Sequence, residues 1–124
     1  MKDGGSVIAL SYLGGERVVP NYNLMGVAKA ALDSAVRYLA HDLGPQGIRV
    51  NCVSPGNTYF DGGIWQNIEK NMPDLYSSTL KVNPTGRFGT AEEVAKGVVF
   101  ISSPVASRIS GTNLVIDGAL TVAV

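Results

Sequence analysis

Cysteine and histidine are nearly absent from this 124-residue chain, with Cys52 and His41 the only representatives of their types. One cysteine rules out an intramolecular disulfide framework, and one histidine rules out the common zinc clusters, so no metal site is expected. Charge is scarce as well, at 16% of residues, and ten Lys+Arg offset ten Asp+Glu. A chain without net positive charge has no field to draw it to nucleic acid or an anionic membrane, and neither is expected as a partner. Apolar runs fall far below the ~20 residues of a bilayer span, and no basic start leads into a long apolar stretch. A cytoplasmic location follows as the expectation. Although there are 15 glycines, none forms a G-x-G-x-x-G or related phosphate-cradling fingerprint.

What is present alternates between two periods. Ser6–Ser11 is a short Val/Ile-containing run behind Gly4-Gly5 and reads as a buried strand. Gly14-Gly15 and Pro20 mark a loop. From about Asn21 the apolar positions Leu24, Val27, Ala28, Ala31, Leu32, Ala35, Val36, Leu39 and Leu43 follow helical spacing, predicting a helix buried along one face and stopped by Gly44-Pro45. Ile48–Ser54 reads as a second strand, cut off by Pro55-Gly56. A helix carrying Ile64, Trp65, Ile68 and Met72 follows in a less regular stretch that runs to a Pro84-Thr85-Gly86 turn. Thr90-Ala91-Glu92-Glu93 has the form of a capping box ahead of an amphipathic helix. A last strand, 113–117, sits between Gly111 and Gly118. Strands separated by helices predict an α/β fold with parallel pairing and right-handed crossovers: a partial Rossmann fold of three parallel strands with flanking helices.

In such sheets ligands bind beyond the carboxyl ends of the strands. That directs attention to Ser11-Tyr12, to the start of the long helix, and to the turn Ser54-Pro55-Gly56-Asn57-Thr58. Tyr22 and Lys29 are seven residues apart, almost two helical turns, which places both on one face about 10 Å apart along the axis. A lysine near a phenol lowers the cost of the phenolate and eases proton donation. Spacing alone also allows a tyrosine packed at a helix entrance beside a solvated lysine. The other polar residues have plain structural readings. Cys52 is a small buried hydrophobe, His41 a favourable charge at a helix C-terminus, Glu92 and Glu93 belong to a cap, and Asp117 is a turn residue.

The segment from Tyr12 to Ala30 resembles the enoyl-acyl-carrier-protein reductases of the divergent branch of the short-chain dehydrogenase/reductase superfamily. Their pattern is a tyrosine, six residues and a lysine, with another tyrosine ten positions upstream; Tyr22, Lys29 and Tyr12 match it. The resemblance covers residues 4–51. At the position four before the lysine, where most of the superfamily carries its tyrosine, this chain has Met25, and the usual serine position holds Tyr12, with Ser11 one residue earlier. Residues 52–124 resemble the main branch instead, through Ser54-Pro55-Gly56, the P-x-G-R-x-G-x-x-E-E-V-A segment from Pro84 to Ala95, and the terminal stretch from Gly111 to Ala119.

The resemblance implies an NAD(P)-dependent oxidoreductase of fatty acid synthesis, with NAD or NADP as cofactor and an enoyl thioester, or another small carbonyl compound, as substrate. Tyr22 would hold charge developing on the thioester oxygen, Lys29 would hold the nicotinamide ribose, and Tyr12 would shape the acyl pocket or assist catalysis. Pro55 and Gly56 would lie beside the nicotinamide with Thr58, since Phe60 occupies the place of a threonine common after this turn. Ile64, Trp65 and Ile68 would cover the acyl chain, or simply pack as the apolar face of a helix. The alternative parent is a carbonyl reductase or alcohol dehydrogenase of the main branch. The resemblance also implies a homo-oligomer. Against the superfamily, residues 1–124 correspond to a single partial domain, the catalytic and substrate half, with the nucleotide-binding half absent. A truncated, non-catalytic chain is therefore the third expectation.

Overall fold

Helices and parallel strands alternate in the computed structural model, which describes residues 1–123. Strand β1 (Gly5–Leu10) pairs in parallel with β2 (Ile48–Pro55), in register from Gly5↔Ile48 to Leu10↔Val53. On its other side β2 pairs in parallel with β5 (Asn113–Ile116), from Cys52↔Asn113 to Pro55↔Ile116. The order β1-β2-β5 makes β2 central, and its apolar Val-rich run is buried on both faces, as a central parallel strand requires. The expected α/β fold with three parallel strands and flanking helices is what forms.

Alternation along β2 assigns its two faces. Ile48, Val50 and Cys52 pack with Val36, Ala40 and Leu43 of helix α1 (Asn23–Leu43) and with Ala9. Arg49, Asn51 and Val53 face the opposite way, towards α4 (Ala91–Ser102). Arg49 turns its guanidinium onto the carbonyls of Ile101 (2.8 Å), Ser102 and Ser103 (each 3.1 Å), satisfying backbone acceptors at the α4 C-terminus, and onto that of Ile109 (3.1 Å) in the approach to β5. Asn51, fully buried, donates Nδ2 to the Ile109 carbonyl at 2.9 Å and accepts at Oδ1 from the Thr112 amide at 3.1 Å. That side chain joins the central strand to the approach of β5.

Several expectations change. The apolar stripe of α1 is not buried along one face: Val36 is buried, but Leu24 (80% exposed), Val27 (71%) and Leu39 point outward with Tyr38 (72%). The helix is apolar on two faces, and the sheet covers one. Strand β1 is only half-buried because it is an edge, with Val7 and Leu10 exposed. The irregular stretch holds two helices, α2 (Ile64–Asn71) and α3 (Pro73–Lys81), since Pro73 opens the second rather than ending structure. A two-residue parallel pair, β3 (Thr58–Tyr59) with β4 (Gly89–Thr90), was not foreseen. Beyond β5 the chain forms a short helix α5 (Leu120–Ala123) with Leu120 buried, while Val124 lies outside the described residues. Asp117 caps α5, accepting from the amides of Ala119 (2.9 Å) and Thr121 (2.7 Å), so its place is the turn expected of it. Among the described residues no helix is long and apolar enough to cross a membrane.

Candidate functional site

The carboxyl ends of β1 and β2 lie side by side, and the chain leaves both towards the same corner. After Leu10 it runs through Ser11 and Tyr12 into a 3-10 turn at Leu13–Gly15. It returns through a turn closed by the Tyr22 amide on the Val19 carbonyl at 3.1 Å. Asn21 takes a left-handed conformation there (φ 61°), which asparagine tolerates better than most residues. Tyr22 stands just before α1 as its N-cap residue, so the Tyr22–Lys29 spacing spans the helix boundary rather than lying wholly on one helix.

Glycine makes the placement of Tyr22 possible. A Cβ at Gly14 would stand 2.4 Å from the Tyr22 ring, and one at Gly26 would stand 2.7 Å from the Gly14 carbonyl oxygen. The ring therefore lies directly against the Gly14 backbone, where no side chain fits. Its other neighbour is Tyr12, with ring centroids 5.3 Å apart and planes at 66°, an edge-to-face pair. The Tyr12 hydroxyl donates to Asn57 Oδ1 at 3.3 Å, whereas the Tyr22 hydroxyl makes no hydrogen bond among the described residues. Burial, and secondarily the neighbouring Tyr22, push the Tyr12 phenol above its ordinary pKa. Lys29 donates Nζ to the Leu10 carbonyl at 2.7 Å, tying the second turn of α1 to the end of β1. An ammonium has three donors, which leaves two without a partner among the described residues.

The turn after β2 supplies the floor. Pro55 ends the strand opposite Ile116, and the Gly56 amide donates to the Ile116 carbonyl at 2.9 Å. A Cβ on Gly56 would come within 2.7 Å of Asp117, so this turn packs closely on the end of β5. The Thr58 hydroxyl donates to the Gly56 carbonyl at 3.1 Å, a bond within its own turn. Two buried hydroxyls, Ser11 and Ser54, sit at the ends of the adjoining strands without a hydrogen-bond partner among the described residues.

Helix α2 stands apart from this corner. Trp65 packs on Phe88 with ring centroids 4.8 Å apart, and Tyr76 meets the same Phe88 at 5.1 Å. Ile68 is half-buried and Ile64 is 70% exposed. No hydrogen bond or ring contact joins Ile64, Trp65 or Ile68 to Tyr12 or Tyr22 among the described residues. The site thus gathers Tyr12, Tyr22 and Lys29, with Pro55, Gly56 and Thr58 in the neighbouring turn. Asn57 is the member that sequence reasoning passed over, taking it only as part of that turn. Its sole signal was a polar amide among the small and apolar residues of a strand end. A separate cleft of about 250 Å³ between α1 and β5 is lined by Asp33, Arg37, Cys52 and Asn113. There burial, reinforced by a hydrogen bond to Asp33, pushes the Cys52 thiol up to about 12, which keeps it protonated and inert.

Beyond the turn, the capping box forms as expected: Thr90 Oγ1 accepts from the Glu93 amide at 3.2 Å, and Glu93 Oε2 accepts from the Thr90 amide at 2.9 Å. Arg87 adds a bidentate contact at 2.6 and 2.9 Å. Arg87, with the Thr90 amide second, holds the Glu93 carboxyl at about 2, below its ordinary 4.5. A depressed carboxylate pKa stabilises the fold above the unfolded value, and that contribution disappears as pH falls from about 4.5 through 2. Glu93→Gln is therefore expected to flatten this acid limb in urea midpoints measured against pH. Both side chains are substantially exposed, so 0.5 M salt should narrow the difference from wild type.

Comparison with known proteins agrees with the geometry. A family model described as Enoyl-(Acyl carrier protein) reductase matches residues 1–121. The enoyl-[acyl-carrier-protein] reductase [NADH] FabI of Bacillus cereus is 44% identical over 120 residues, covering 94% of this chain and 44% of that protein. The protein of the same description from Nostoc sp. is 45% identical over 119 residues, with the same coverage. That of Escherichia coli K12 is 38% identical over 125 residues, covering 99% of this chain and 46% of the relative. The chain spans about half the length of the curated relatives it matches. The matches run across Asn51, so the second half aligns with the same relatives as the first.

Proposed function

The chain belongs to the enoyl-(acyl carrier protein) reductase family, and from that premise we propose that it carries the proton-donating and ribose-binding side of an NADH-dependent enoyl-thioester reductase. The observation that supports this most directly is the meeting of Tyr12, Tyr22 and Lys29 at the carboxyl end of β1, with the Tyr22 hydroxyl uncommitted among the described residues. The donor set suits the nicotinamide end of the cofactor. Lys29 has two donors left, among the described residues, for the two ribose hydroxyls, and its ammonium sits on the Leu10 carbonyl, two residues before Tyr12. NADH, when bound, supplies the hydride that adds to the alkene carbon remote from the thioester. Charge developing on the thioester oxygen would be met by the Tyr22 O–H, which is the donor in this reading. Tyr12 forms a wall of that corner. Pro55, Gly56 and Thr58 would hold the nicotinamide through their turn, and Ile64 and Ile68 would offer apolar surface to an acyl chain, with Trp65 bracing their helix through Phe88.

The reading is tested by titrating the full-length protein with NADH and NADPH, followed by turnover of an enoyl thioester and of a ketone. Binding of NADH with reduction of the enoyl thioester is the expected result. Reduction of the ketone alone would support the carbonyl-reductase alternative, which has only Met25 at its usual tyrosine position. Failure to bind either nucleotide would leave the reading without support.

The outward face of α1 bears on assembly. Leu24, Val27, Tyr38 and Leu39 form an apolar surface that the sheet does not cover. We propose that a second copy covers it, helix against helix. Sedimentation velocity should then show an oligomer that Val27→Glu shifts towards monomer; an unchanged distribution would contradict the assignment.

A further inference from the structure

We infer that Asn57 is a positioning residue that divides labour between the two tyrosines, by accepting the hydrogen bond of the Tyr12 phenol and so leaving Tyr22 as the donor to substrate. The inference rests on the functional reading above. Asn57 is suited to the task because it is fixed at both ends. It is only 6% exposed, and its main-chain carbonyl accepts from the Gly89 amide at 2.8 Å, where β3 meets β4. Its side-chain oxygen meets the Tyr12 hydroxyl at 3.3 Å.

A phenol has one proton to donate. With that proton directed at Asn57, the Tyr12 oxygen can only accept, and it cannot compete with Tyr22 for a carbonyl oxygen arriving at the corner. The tether also holds the hydroxyl end of the Tyr12 ring, against which Tyr22 packs edge-to-face, with Gly14 on the other side of Tyr22. Orientation thus passes from the β2 turn through Tyr12 to the Tyr22 hydroxyl. Burial of Tyr12 keeps its phenol neutral, which preserves the O–H that the tether needs.

The test uses the full-length protein labelled with [13Cζ]tyrosine, comparing Asn57→Leu with Asn57→Asp. Aspartate retains an acceptor at the same place and has no N–H to donate, so the Tyr12 resonance should stay in its hydrogen-bonded position and titrate at higher pH. Leucine should displace that resonance. With an enoyl thioester, Asn57→Leu should lower kcat about tenfold, while the KM for NADH changes by less than about twofold. Asn57→Asp should recover most of the loss. In a Tyr12→Phe background, Asn57→Leu should cost less than about a further twofold, because the bond is already gone. An equal loss in both backgrounds, or a Tyr12 resonance indifferent to Asn57→Leu, overturns the inference. So does an aspartate variant that behaves like leucine, since the amide would then be donating. The resonance needs no substrate. If no enoyl thioester is reduced at all, the functional reading fails and the resonance still decides whether Asn57 holds Tyr12.

Discussion

Tyr22→Phe is expected to lower kcat for an enoyl thioester by about 10²–10³-fold while NADH affinity stays within about twofold. The ring is the part of Tyr22 that the fold uses: it fills the space against Gly14 and packs on Tyr12, and phenylalanine keeps both contacts. The hydroxyl is free of any bond among the described residues, so its removal strands no partner. A change that leaves the structure intact and removes one O–H should therefore appear in kcat alone. Stopped-flow turnover, with nucleotide binding followed by fluorescence, separates the two quantities. Full retention of turnover would remove Tyr22 from the mechanism. A matching fall in nucleotide affinity would instead indicate that the ring had moved.

Asn51→Leu should produce the largest loss of stability, about 2–4 kcal/mol. Leucine fits the volume approximately, but Asn51 is fully buried and makes two bonds to separate stretches of backbone, the Ile109 carbonyl and the Thr112 amide. The Thr112 amide would lose its acceptor among the described residues, and the Ile109 carbonyl would keep only the Arg49 contact at 3.1 Å. The damage falls at the approach to β5, so it should appear as a lower urea midpoint with little change in slope. Asn51→Asp tests the assignment more finely, because it keeps the acceptor for Thr112 and loses only the donor to Ile109. It should cost less than leucine unless the carboxylate must ionise there.

The three strands of the main sheet and the capping box were legible because each is written in contiguous residues. Val- and Ile-rich runs bounded by glycine set β1, β2 and β5, and Thr90 with Glu93 needs a spacing of only three. Helix α1 was legible in extent but not in orientation. An apolar letter records that a residue prefers company without saying which company, so Leu24, Val27 and Val36 look alike in sequence although only Val36 meets the sheet. Helix α3 was missed because proline is read as a breaker, and Pro73 at a first helical position acts as a starter. At the site, Tyr12, Tyr22 and Lys29 were found through a pattern within eighteen consecutive residues. The Tyr12–Asn57 bond was out of reach, since its partners become neighbours only through the parallel register that aligns the ends of β1 and β2.

That register also governs the order of events during folding. Each parallel pairing closes a long loop: β1 waits for a partner roughly 40 residues later, and β2 for one roughly 60 residues later. The two closures differ in chain entropy by only about 0.3 kcal/mol, so loop length hardly ranks them. Location ranks them instead. β2 is the shared partner, and among the described residues neither β1 nor β5 has a second strand to wait with. A sheet of such non-local pairings belongs among slow folders, and its rate should respond most to β2. Conservative truncations such as Val50→Ala and Val53→Ala would slow folding, whereas Leu114→Ala at the rim would chiefly hasten unfolding.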